Sequence, residues 1–441
     1  MKSAVGALRV VGLLLLLVAV AAAADIDIRD FGAKGDGVTK DTAAIQRAID
    51  QAARSGGGTV VVPAGRYLCG TIQLRSHTTL ELRNGATLLG SPDKTDYAEY
   101  EKLPYPVLED EETTYFHHAL VTGEDLDYVA VTGQGVIDGN RYKRGGPKTV
   151  ALNNCRHVSI RGITVQNSAN YSLSFLGCDW VDVDGVTVLN SQADGIDPDN
   201  CRYVRISNCF VESRDDAICP KASMALGRPG FTEGVAVTNC VIRTNSANFK
   251  LGTESAGTFH NIAFSNSVIL PKAAGRRSTA GFEISMVDGG SIEDVVISNI
   301  SMQGASAPFF IRLGNRGRGQ ATPQPGILRG VLVDNLVARG AVLAASVTGL
   351  PSHPVRDLML HNILIEAEGG GSGPVATAVP EMPAVYPKAW MFGQLPAVGL
   401  FVRHVDGLTM SNVRIKMRAP DARPAMLFDD VKEAPLNAPA R

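Results

Sequence analysis

Short β-branched runs separated by small turn residues dominate this chain, and they return at a fixed interval. Cys155, Cys178 and Cys201 each open a segment, spaced 23 residues apart. The same alternation of apolar and polar positions follows each one: CRHVSIRGITVQNS, CDWVDVDGVTVLNS and CRYVRISNCFVESR. Asn167-Ser168 returns as Asn190-Ser191. A repeat of this length, built of strands and turns, predicts a stacked solenoid with equivalent positions roughly 4.8 Å apart in adjacent coils. One position between two strands is held by Gly133, Gly162, Gly185, Asn208, Asn239, Asn266, Asn299, Asn335, Asn362 and Asn412. Gly and Asn tolerate the left-handed backbone, so this series predicts one sharp corner per coil. The expected architecture is all-β: a single-stranded right-handed parallel β-helix of about ten coils. A leucine-rich horseshoe would need a regular Leu pattern and a helix in each repeat, and neither is present.

The flanks read differently. Ile45, Ala48, Ile49 and Ala52 share one helical face, with Asp41 or Thr42 as N-cap and Gly56 to Gly58 as the stop. A helix here would cap the open end of the stack, as terminal units of solenoids must. Residues 25–28 and 59–62 read as strands on either side of it. Residues 92–118 are rich in Pro, Tyr and acid and predict a long loop over one face. Insertions at 224–231, 255–259, 270–280, 316–326 and 369–395 predict further loops beside the coils. Residues 416–441 read as a loose tail. Residues 1–24 carry Lys2 and Arg9, then the apolar run 10–20, then four alanines, which predicts a signal peptide. The expected product is an exported β-helical domain of residues 25–415, periplasmic or secreted, with no membrane attachment after cleavage.

Composition narrows the possible partners. The chain has 441 residues and a formal net charge of −2, without a basic run or zinc-finger spacing, so nucleic acid is not an expected ligand. Seven cysteines leave at least one unpaired, and the 23-residue spacing predicts a buried ladder rather than bridges. No Cys/His pattern implies a metal or cofactor.

The candidate chemistry is carried by two consecutive repeats. Asp194 lies in NSQADGID and Asp215-Asp216 in SRDDAI. Residues 21 or 22 apart become neighbours across two coils, so the three carboxylates are expected on one face. Like charges so placed repel, and the neighbouring coils lack them, which points to catalysis. Mutual repulsion would also keep one of them protonated as a general acid. Around them, Lys221 is placed to neutralise the cluster. Lys250 is either a groove residue or a surface lysine on a strand. Glu254, Arg312 and Arg316 are candidate substrate ligands. Asp197 and Asp199 are expected as turn or ladder residues, His117 and His118 as non-catalytic loop residues. Tyr171 is either a sugar-stacking ring or a packed aromatic.

These motifs resemble glycoside hydrolase family twenty-eight, the polygalacturonases, whose pattern is Asn-Thr-Asp followed by Asp-Asp. GQGVIDGN at residues 133–140 resembles the family's entry to its catalytic coils. The N-terminal FGAKGDG…GGGTVVVPAG is similar too, but many β-helical lyases and esterases share it. The chain departs from the pattern in three places. Gln192-Ala193-Asp194 replaces Asn-Thr-Asp, residues 246–254 contain no Gly-His-Gly, and residues 281–286 contain no Arg-x-Lys. The resemblance implies an inverting hydrolase of pectic chains, of galacturonate or rhamnogalacturonan type, monomeric and possessing no cofactor. Asp215 would be its acid, and Asp194 and Asp216 would activate water. Arg-x-Lys holds a substrate carboxylate in the family, and Arg312 is the expected replacement. Long loops on both sides of the acidic coils imply an end-acting pocket. Two alternatives remain: a β-helical lyase whose three aspartates cage Ca²⁺, and a non-enzymatic carbohydrate-binding β-helix.

Overall fold

The computed structural model describes residues 25–141, 143–372 and 378–433. The expected signal peptide lies outside these residues. All ten corner positions have positive φ, from 49° at Asn266 to 114° at Gly133. Five of the corner asparagines bond to one another across coils. Asn299 Nδ2 donates to Asn266 Oδ1 at 2.9 Å, Asn335 to Asn299 at 2.8 Å, and Asn412 to Asn362 at 2.9 Å.

Between corners the strands pair in parallel and in register, coil on coil. One face begins with Ile26–Asp27, Gly58–Val62 and Thr78–Leu82, and continues through Asp127–Gly133, Arg156–Arg161, Asp179–Asp184 and Arg202–Ser207. A second face carries Ala119–Glu124, Lys148–Asn153, Leu173–Leu176 and Ile196–Asp199. Bridges from Ile196 to Ile218 and from Ile218 to Phe249 carry this face on to Ala247–Leu251, Ser278–Met286 and Ala305–Leu313. The chain is a right-handed parallel β-helix.

The core is the interior of the stack, filled by aligned Val, Ile, Leu and Phe. Phe249 stacks on Phe264 with centroids 4.6 Å apart, and Phe282 on Phe309 at 5.3 Å. Full burial of such a side chain contributes roughly 1.5–3 kcal/mol. The predicted cysteine ladder is present. Cys155, Cys178 and Cys201 are buried and unbridged, with the Cys178 sulfur 3.4 Å from the Cys155 amide and the Cys201 sulfur 3.3 Å from that of Cys178.

The helix Thr42–Arg54 packs on the first rungs through Ala44, Ile45, Ala48, Ile49 and Ala52. Asp41 precedes it but does not cap it with its side chain. Its carboxylate instead accepts from the Lys34 and Gly35 amides, at 2.7 and 3.0 Å, and so fixes the entry loop. Residues 25–28 form only a two-residue strand, Ile26–Asp27, before a 3₁₀ turn over Ile28–Phe31.

The loose tail expected from residue 416 is corrected by the structure. Leu400–Ala419 runs past that point, and Met426–Glu433 adds another rung, pairing Met426 with Leu400 and Val431 with Val405. Met426 and Val431 pack against the core. The rung is short and its apolar positions are interrupted by Asp429 and Asp430, which hides it in the sequence. No helix among the described residues is long and apolar enough to cross a membrane.

Candidate active site

Asp194 follows the strand Thr187–Ser191, and Asp215-Asp216 follow Phe210–Ser213. The serine that ends each strand pins the turn after it. Ser191 Oγ donates to the Asp194 carbonyl at 2.9 Å, and Ser213 Oγ to the Asp215 carbonyl at 2.6 Å. Gly195 lets the two coils close: a Cβ there would stand 2.4 Å from the Ala217 carbonyl oxygen. The predicted neighbourhood then forms. The Asp216 amide donates to Asp194 Oδ1 at 3.0 Å and to Asp215 Oδ1 at 3.1 Å, so one N–H ties all three residues together.

Two buried lysines answer the charge. Lys221 Nζ lies 3.0 Å from Asp194 Oδ2 and 2.5 Å from Asp197 Oδ1, and donates to the Tyr171 hydroxyl at 2.9 Å. Lys250 Nζ lies 2.7 Å from Asp216 Oδ2, whose other oxygen accepts from Ser246 Oγ at 2.5 Å and the Ala247 amide at 3.0 Å. Burial opposes the charge on both lysines, but the carboxylates outweigh it and hold both ammoniums protonated.

The carboxyls divide. Burial also works against ionisation of Asp216, yet Lys250 and Lys388 overcome it and keep this carboxyl well below the usual range. Burial, reinforced by Asp197, drives Asp194 well above it. The protonation pressure expected from mutual repulsion thus falls on Asp194, with desolvation as its main source. Asp215 is the accessible member: 29% of its side chain is exposed, against 6% for each of the others. Arg144 reaches it, bonding Asp215 Oδ2 while also gripping Glu112 of the short helix Glu111–Thr114. The loop 92–118 therefore does reach the acidic coils.

The other candidates sort clearly. Lys221 and Lys250 join the site as buried ion-pair partners, which corrects the alternative of a surface Lys250. Asp197 is also corrected: it is a buried partner of Lys221 rather than a turn residue. Asp199 accepts from the Ser223 amide and hydroxyl, at 3.0 and 2.5 Å. Burial lifts it to about 6. Tyr171 is buried under Lys221, with the ammonium 4.0 Å from its ring centroid, so it is a packed aromatic. Glu254 is buried and pairs with Arg318 at 3.3 Å. Arg316 holds Asp288 and the Thr253 carbonyl, at 2.9 and 3.0 Å.

Arg312 is corrected outright. It is buried, donates to the carbonyls of Gly349 and Glu381 at 3.2 and 2.5 Å, and bonds none of the three aspartates. Its strand faces the 369–395 insertion, so it clamps that insertion's backbone instead of replacing Arg-x-Lys. His117 and His118 bond Glu124 and the Ala98 carbonyl, away from the carboxylates.

Sequence reading missed Lys388 and Tyr386, which the 369–395 insertion brings to the site. Lys388 Nζ donates to Ser246 Oγ at 3.4 Å, and Lys250 Nζ to the Tyr386 hydroxyl at 3.5 Å. Lys250, Lys388 and Arg316 surround the half-exposed Tyr386 ring, 5.7, 5.4 and 5.5 Å from its centroid. Arg144 was missed as well. None of the three lies in the repeat, so no register argument finds them. Asp197 was findable, since Lys221 follows it by one coil.

Among the described residues, Asp194, Asp216 and Cys219 approach closely enough to share a metal ion. The donor set does not suit calcium, which takes six to eight oxygens. Lys221 and Lys250 already occupy the carboxylates, and burial drives the Cys219 thiol well up, so it keeps its proton. Asp215 stands outside this group, so the three aspartates do not form the cage of the lyase alternative.

Comparison with known proteins agrees with the fold. A family model described as rhamnogalacturonase A/epimerase, pectate lyase-like, matches residues 26–95. A protein named probable polygalacturonase from Vitis vinifera is 26% identical over 419 residues, spanning 86% of this chain and 84% of its own. The hyperthermoactive exopolygalacturonase of Thermotoga maritima superposes with a TM-score of 0.71 at 22% identity, covering 89% of this chain and 92% of its own. The family 28 exopolygalacturonase of Yersinia enterocolitica also gives 0.71, at 19% identity, covering 92% and 78%. Fold and site define a β-helical enzyme with a carboxylate centre. With these relatives, the acidic motifs make the chain similar to glycoside hydrolase family twenty-eight.

Proposed function

We propose that this protein is an exported, monomeric hydrolase that removes galacturonate units from the ends of pectic chains with inversion of configuration. The observation that carries the reading is the division of the three carboxyls. Asp215, open to the groove, protonates the glycosidic oxygen as the C–O bond breaks and its electron pair passes to that oxygen. Asp216, kept ionised by Lys250 and Lys388, takes the proton of the water that attacks the anomeric carbon from the other face. Asp194 bonds the Asp216 amide and holds the pair in register. Arg144 must leave Asp215 Oδ2 before that oxygen can meet the glycosidic oxygen. Its exposed side chain can do so when substrate enters. Lys388, with no carboxylate within 4 Å among the described residues, supports an acidic sugar in this subsite and takes the role expected of Arg312. The loops carrying Arg144 and Tyr386 both reach the acidic coils, which supports attack at chain ends.

The test is a reducing-sugar assay of the mature protein on pectic oligomers, with Asp215→Asn as control. Release of galacturonate by native protein, cut by at least about 100-fold in the variant, is expected from loss of a general acid. The first product anomer seen by NMR should be inverted. Retention of configuration would overturn the mechanism, and hydrolysis that survives in Asp215→Asn would overturn the assignment.

A further inference from the structure

Next to the carboxylates lies a cavity of about 400 Å³ lined by Arg214, Asn245, Lys272, Ala273 and Arg276. It begins one residue from the catalytic pair on two coils. Arg214 immediately precedes Asp215. Asn245 stands between Thr244, which donates to the Asp215 carbonyl, and Ser246, which donates to Asp216. The 270–280 insertion forms the third wall and is anchored there by Lys272 Nζ, which donates to the Ser213 carbonyl at 3.0 Å. Its volume is within the range of small-ligand pockets, about 300–1,000 Å³.

The charge of this cavity is unbalanced. Among the described residues, neither Arg214 nor Arg276 has a carboxylate within 4 Å, and Lys272 has Glu212 at 3.8 Å. A neighbouring cavity that shares Arg276 shows the contrast. There Arg277, Arg339 and Arg418 each pair with Glu366 or Glu368, as an exterior charge ladder would. Burial and the nearby Arg243 and Arg214 press the Lys272 ammonium below its usual value, so three cations crowd a recess that little neutralises.

We propose that this cavity binds the carboxylate of the uronate unit adjacent to the one being cleaved, through Arg214, Lys272 and Arg276. The inference rests on the galacturonide reading of the neighbouring aspartates. Guanidinium groups suit a carboxylate because their paired N–H groups meet both oxygens, and a charged acceptor strengthens each bond. A neutral sugar at the same place would leave the cations unanswered. The site therefore selects an acidic chain over a neutral one.

The experiment is calorimetric titration of Asp215→Asn protein with tetragalacturonate, with and without Lys272→Gln/Arg276→Gln. The expected result is a Kd about tenfold higher in the triple variant, about 1.4 kcal/mol, with a flatter dependence on salt. Tetrasaccharide with its carboxyls reduced to alcohols should bind both proteins equally. In the native background, the double substitution should raise KM and leave kcat within about twofold, as loss of uniform binding does. Equal Kd values for tetragalacturonate, or an equal loss with the reduced sugar, would overturn the proposal. Hydrolysis with unchanged Kd removes the cavity and keeps the activity. Charge-dependent binding without hydrolysis keeps the cavity and removes the activity, and no binding by Asp215→Asn removes both.

Discussion

Along one exterior edge, Tyr128, His157, Trp180 and Tyr203 stack coil on coil, with ring centroids 4.2, 6.4 and 4.4 Å apart. On the groove side, adjacent coils instead set Asp194 against Lys221 and Asp216 against Lys250. The edge repeats one kind of side chain, so each coil supports the next whatever its neighbours do. The rings lie face to face, so they offer solvent mainly their edges and serve the stack rather than a ligand. The groove pairs unlike charges across coils, buried so deeply that each depends on its partner. Breaking a ladder should therefore weaken the stack a little and spare function. Breaking a groove pair should strike both.

The largest effect is expected from Lys250→Met. It leaves the Asp216 carboxylate buried and unpaired, which costs about 3–5 kcal/mol, read as a fall in Tm together with lost hydrolysis. Acid sensitivity should fall in turn. Asp216 is held low in the folded protein, so its stabilisation is present above about pH 3.9 and lost as pH falls toward its folded value. Without Lys250 the folded value moves up toward the unfolded one, so that loss shrinks. An unchanged Tm would dissolve the contrast between groove and edge.

Asn299→Ala comes next, at about 2 kcal/mol, from a left-handed backbone that suits alanine poorly and a lost ladder bond. Asn299→Gly keeps the backbone and should cost about half as much; equal costs would show that the side-chain ladder contributes nothing. Trp180→Ala should cost about 1–2 kcal/mol from its two stacked neighbours, with kcat unchanged. A loss of activity there would mean the edge is functional after all.

A smaller effect is one of slope. Asp194 is raised in the folded protein, so the folded state keeps a proton that the unfolded chain releases above about pH 3.9. Native stability should therefore fall as pH climbs from about 4 toward the folded value, and Asp194→Asn should flatten that fall in a series of melts. The smallest effect is none: the seven cysteines are free, so reductant should leave Tm unchanged. A drop would reveal a bridge.

The coil period, the corner at each Gly or Asn, the cysteine stack and the pairing of Asp194 with Asp216 were all legible because each follows from one repeat length. Where the repeat breaks, legibility fails. Arg312 read as a groove cation because its distance along the chain was right, and its strand does turn it to the same face as Lys250, but there the 369–395 insertion covers it and takes up its guanidinium. Met426–Glu433 was lost because a short charged strand resembles a tail until a neighbour offers its edge.

By itself, then, the sequence determined the β-helix and the meeting of three aspartates, since parallel stacking converts separation along the chain into distance in space with almost no freedom. The tertiary structure decided which carboxyl is buried, which is ionised and which faces the groove. It also decided that Lys388, Tyr386 and Arg144 complete the site. Those outcomes depend on desolvation and on loops outside the repeat, whose paths are set by what they pack against and not by any period in their residues.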